Sequence, residues 1–176
     1  MISDVICLHF YDRIFCLLAT FFTLGIQQIN VRAFYKMLDG VADSSTNFRL
    51  FYLGLLPCFA LPLIGVFDEH DYKIAHYSCA AIYFAGIGAY SFFLARQFNK
   101  YRAVYTPAEQ SSINTLAWCS WAIIALPCLL LLSRTLYTSD YWATPFLEWA
   151  TVFFTLSFFG LASFSNPFYD SIHLYG

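Results

Sequence analysis

Charge is what this sequence has least of. Its 176 residues include 9 Lys and Arg and 11 Asp and Glu, against a hydrophobic content of 60%. A soluble domain of this length could not cover its surface with so few charges, which argues against a water-soluble fold. A net charge of -2 lacks the basic excess that nucleic-acid binding needs, so no nucleic-acid partner is expected. The cysteines (Cys7, Cys16, Cys58, Cys79, Cys119 and Cys128) form no CxxC pair and all lie in apolar stretches. They read as small core residues, with neither a disulfide framework nor a zinc site expected. GxSxG, HExxH, a phosphate-cradling glycine loop and EF-hand spacing are all missing. The expectation is a protein that is not an enzyme and holds no metal and no cofactor. A cleavable signal is not expected either, because MISDVICLHFYDR places acids ahead of the apolar run. Both termini are expected to be docked rather than frayed.

Long apolar runs take the place of charge. About 20 apolar residues cross roughly 30 Å of hydrocarbon. Runs at about 50–67, 74–96, 113–132 and 146–164 meet that length with almost no charge. A fifth, at about 13–34, is interrupted by Gln27, Gln28 and Asn30, and spans if it tilts and its basic end snorkels. The fold predicted is a single all-α integral membrane domain, residues 1–176, built as a bundle of five transmembrane helices. Pro57, Pro62 and Pro127 fall inside spans, where membrane helices tolerate them.

Orientation follows the basic residues. The loops at 27–49 and 96–112 hold Arg32, Lys36, Arg49, Arg96, Lys100 and Arg102. The other side holds Arg13, Lys73 and Arg134 together with most of the acids. This predicts an N-terminus outside, in a lumen or intermembrane space, and a C-terminus in the cytosol or matrix. Aromatics such as Tyr35, Phe51, Tyr52 and Trp149 cluster near span ends, as an interfacial belt does.

Few residues carry chemistry. Asp68, Glu69 and Asp71, with His70, form an acidic face in the turn before the third span, most simply a solvated turn. His76 lies one turn inside that span, where an imidazole at the water–lipid boundary needs a reason to be there. Glu148 opens the last span on the same side of the membrane. His76 and Glu148 are expected to form a polar pair, as structural glue or as a grip on a lipid headgroup, each lowering the other's cost of burial. Ala81, Ala85 and Ala89 make a small-residue stripe suited to close helix packing, most simply within the bundle.

Three segments together resemble the DRAM/Frag/Sfk family of small polytopic membrane proteins. The strongest is FDEHDYKIAHYSCAAIYFAGIGAY, through Glu69, His76, Ala80, Ala81 and Phe84. LEWATVFFTLSFFGLASF is similar to the family's last span through Glu148, Trp149 and the phenylalanines that follow. RIFCLLATFFTLGIQQINVRAFYKML is similar in arrangement to its second span. The departures are the lack of the family's usual first span and long lumenal loop, Tyr77 where an acid often follows the histidine, and Asn166 in place of an Asp. The family includes autophagy-modulating proteins and the Golgi factor for GPI-anchor lipid remodelling.

Composition and the missing catalytic motifs point first to a non-enzymatic accessory subunit of a larger membrane complex, in contact with lipid, with a mitochondrial inner-membrane respiratory assembly as the expected setting. The resemblance implies an alternative: an endomembrane protein of the Golgi or ER assisting GPI-anchor lipid remodelling or phospholipid handling. An integral lipid-modifying enzyme using His76 and Glu148 is a third reading. Expected partners are membrane lipids and other membrane protein subunits, with a bound phospholipid as the candidate ligand.

Overall fold

The computed structural model describes residues 9–67, 71–136 and 143–164, all of them helix or the short turns between helices. The first helix, α1 (His9–Phe22), runs through a π turn (Thr23–Gln27) into α2 (Gln28–Leu38). Then come α3 (Ser44–Val66), α4 (Lys73–Lys100), α5 (Pro107–Leu136) and α6 (Ala143–Phe164), with a short 3-10 turn (Arg102–Val104) before α5. Four stretches are long and apolar enough to cross a membrane: Arg13–Leu38, Ser44–Val66, Lys73–Lys100 and Pro107–Leu132. The run expected to be the weakest is thus one helix of 26 residues. α6 is 22 residues long, and its stretch Trp149–Gly160 is apolar. The docked termini expected from the sequence lie outside the described residues.

Local signals explain the ends. Asp43 caps α3, its carboxylate accepting from the Thr46 amide at 3.0 Å and the Thr46 hydroxyl at 3.2 Å. The sequence Thr106-Pro-Ala-Glu109 is a capping box with proline at the first helical position. Glu109 Oε2 accepts from the Thr106 amide at 2.7 Å, and the Glu109 amide donates back to Thr106 Oγ1 at 3.4 Å. After α2 the chain turns at Gly40, whose φ of +73° suits a residue without a Cβ.

Each helix packs on the next, α3 on α4 most extensively, and α6 returns against α2 and the π turn, closing the bundle. Phe34 marks the closure, 5.7 Å from the Phe98 ring and 6.1 Å from Phe158. Outward faces are apolar: Leu17, Leu18, Phe21, Phe59, Trp118 and Leu131 are all largely exposed. In water that surface would aggregate, whereas in a bilayer it is the solvated face.

Close approach comes from glycines, and the alanine stripe does not supply it. A Cβ on Gly54 would fall 2.7 Å from the Tyr90 ring, one on Gly86 2.8 Å from Pro57 Cγ, and one on Gly65 2.7 Å from Cys16 Sγ. Ala81 and Ala85 are exposed and Ala89 is half-buried. The stripe runs along the outside of α4 because Gly86, Tyr83 and Tyr90 occupy its inward face. Of the cysteines, Cys58 and Cys119 are buried as expected, Cys16 and Cys79 are half-buried, and Cys128 points outward.

Candidate functional site

His76 opens the second turn's worth of chain in α4, yet its ring reaches back to α3. It is 6% exposed, and Nδ1 lies 3.1 Å from the Ile64 carbonyl and 2.8 Å from the Phe67 carbonyl. Both partners are carbonyl oxygens, which only accept, so Nδ1 carries the proton and donates to both. The last carbonyls of a helix have no partner within it, and here a side chain from the next helix supplies one. The imidazole therefore locks the α3–α4 turn, and the Tyr77 ring packs edge-on against it at 5.6 Å. Asp71, two residues before α4 begins, is exposed. Asp68, Glu69 and His70, and the side chain of Glu148 on α6, lie outside the described residues. Among the described residues no group of His, Cys, Asp and Glu could hold a metal ion.

A second polar region lies deeper, toward the opposite end, and has the reverse character. Gln27, the last residue of the π turn, is completely buried, and neither its Oε1 nor its Nε2 has a hydrogen-bond partner. The turn exists because the Gln28 amide bonds back to the Thr23 carbonyl, five residues earlier. Thr20 and Thr23 hydroxyls also bond to preceding carbonyls, at 2.7 Å to Cys16 and 3.2 Å to Thr20, and Gly25 adds backbone freedom. Asn47 donates through Nδ2 to the Tyr35 carbonyl at 2.9 Å, closing the end of α2, while its buried Oδ1 is unpartnered. The Tyr90 hydroxyl is buried and unpartnered too. Each such atom costs roughly 1–3 kcal/mol, and hydrocarbon surroundings offer no water to relieve it.

Asn47 and Tyr90 share one crevice between α2, α3 and α4, lined also by Val31, Phe34, Tyr35, Leu38, Leu50, Phe51 and Leu94. It is too narrow to hold a water molecule. Tyr35 and Phe51, both half-buried, close its side with rings 5.1 Å apart. No lining residue is charged.

By contrast the polar groups at the α4–α5 turn are satisfied. Arg102 donates to Gln110 Oε1 at 3.3 Å and Asn114 Oδ1 at 2.9 Å, and Gln110 Nε2 donates to the Arg102 and Tyr105 carbonyls. Burial, with the Glu109 carboxylate nearby, pushes the Tyr105 phenol up to about 12.

The model for the Frag1/DRAM/Sfk1/Cwh43P N-terminal domain matches residues 2–165. The chain belongs to that family. No curated protein and no solved structure matches it. The resemblance expected from the segments around His76 and Glu148 is thereby confirmed over residues 2–165. Within this Frag1/DRAM/Sfk1 domain, sequence reasoning singled out His76 and passed over Asn47 and Tyr90. Gln27 was visible only as a polar interruption of an apolar run. The signal available for it was an amide at the midpoint of Arg13–Leu38, where every polar side chain is costly.

Proposed function

We propose that this chain is a non-enzymatic, five-span membrane protein of the endomembrane system that acts through contact with membrane lipids, in GPI-anchor lipid remodelling or phospholipid handling. The family match over residues 2–165 carries the reading. α6 serves as the fifth span, and the N-terminus faces the lumen. Support for that orientation comes from Arg32, Lys36, Arg49, Arg96 and Lys100, all exposed toward the end of the bundle where α2 meets α3 and α4 meets α5. Basic residues concentrate on the cytosolic side of membrane proteins. His76 acts as a structural clasp, and no headgroup chemistry is assigned to it. The accessory-subunit reading, with its mitochondrial setting, rests on composition alone, and the endomembrane reading is supported by the resemblance to the family.

The test is purification of the native protein in mild detergent, with identification of whatever co-migrates. The expected result is a small particle carrying specific lipid and an epitope-tagged chain located in Golgi or ER membranes. Stoichiometric co-migration with a large respiratory complex would overturn this reading and establish the subunit.

A further inference from the structure

We propose that the crevice between α2, α3 and α4 is a closed binding site for the hydroxyl end of diacylglycerol. The inference rests on the lipid-contacting reading above and names the lipid. Every buried, unpartnered side-chain polar atom among the described residues belongs to Gln27, Asn47 or Tyr90. Two of those three residues line the crevice. The third, Gln27, stands one turn from Val31, on the same helix face as that lining residue. Scattered modest defects would not gather in this way, whereas a site waiting for a ligand does.

The chemistry of the lining selects the ligand. Asn47 Oδ1 can only accept, and the Tyr90 hydroxyl can donate or accept. A ligand hydroxyl satisfies both kinds of group at once. The absence of charge in the lining would leave a phosphate or ammonium headgroup desolvated and unpaired, which excludes ordinary phospholipids. Tyr90 is ten residues from the end of α4 at Lys100, about 15 Å along the helix at 1.5 Å per residue. The crevice thus runs from near the basic end toward the middle of the bilayer. Tyr35 and Phe51 form the side wall that must part, since the closed crevice has no room even for water.

The full chain in phosphatidylcholine nanodiscs would be irradiated with a photoreactive, alkyne-tagged diacylglycerol, in parallel with phosphatidylcholine and sterol probes of the same design. The expected result is diacylglycerol labelling on peptides containing Tyr35 or Phe51, removed by excess unlabelled diacylglycerol. Tyr90→Phe, which deletes one oxygen and leaves the packing intact, should weaken that labelling roughly five- to tenfold, the value of one hydrogen bond. Asn47→Leu should do likewise, and labelling by the phosphatidylcholine probe should not change. Equal labelling by all three probes, indifference to Tyr90→Phe, or preference for the sterol would overturn the proposal. A lipid-carrying particle that fails this test leaves the broader reading standing; a particle bound into a large complex removes that reading whatever the probes show.

Discussion

The two ends of the α3–α4 hairpin treat polar groups in opposite ways. At the His76 end, one imidazole nitrogen donates to two carbonyls at the end of α3, those of Ile64 and Phe67. At the other end, neutral side chains are left with unmet hydrogen-bonding capacity: Asn47 Oδ1 and the Tyr90 hydroxyl beside a crevice, with Gln27 in the π turn above it. The residue whose chemistry stands out in the sequence is thus occupied with holding the fold. The residues with chemistry to spare are an amide and a phenol that look ordinary in a list. Burial without a partner is the better guide to a site than side-chain reactivity.

The largest expected effect comes from breaking the satisfied end. His76→Ala leaves the Ile64 and Phe67 carbonyls without their donor and should destabilise the protein by about 2–3 kcal/mol, read as a fall in the thermal midpoint in detergent. His76→Phe, which keeps the volume and loses the donor, should recover little of that. Retention of wild-type stability by both variants would show that the clasp is incidental. Gly54→Ala comes next, because the added Cβ meets the Tyr90 ring at 2.7 Å. A cost of about 1–3 kcal/mol is expected from overpacking, together with altered diacylglycerol labelling as Tyr90 shifts.

Gln27→Leu sharpens the comparison from the other side. It removes two unpartnered atoms at nearly constant volume, so the variant should be more stable by about 1 kcal/mol when no ligand is present. A loss of stability would mean that Gln27 does have partners in the folded protein. The smallest effect concerns the cap of α3. Hydrogen bonds from the Thr46 amide and hydroxyl hold the Asp43 carboxyl below its ordinary value, so its contribution to stability is present above the unfolded-state pKa and is lost as pH falls through the lower folded-state value. Asp43→Ala should therefore abolish a slight acid-side dependence of the thermal midpoint and leave the neutral-to-basic range parallel to wild type.

The sequence determined the class of fold. Apolar runs of bilayer length with so few charges leave only membrane helices, whose backbone is satisfied within each run, and local signals at Asp43, Gly40 and Thr106–Glu109 fix where helices begin and end. Family membership was legible for the same reason, since it resides in short runs of adjacent residues. What each side chain meets was decided only by tertiary structure. Ala81, Ala85 and Ala89 have the spacing of a packing stripe, but which face of α4 turns inward depends on where Pro57 and Gly54 of α3 fit against Gly86 and Tyr90. His76 could have faced several partners, and the α3 carbonyls claim it because the turn before α4 brings them within 3.1 Å. The crevice is defined by residues from three helices far apart in sequence, and no local pattern records that Asn47 and Tyr90 share one wall. Spacing along a chain dictates hydrogen bonds within a helix; partners between helices are set by packing, and so is the absence of a partner.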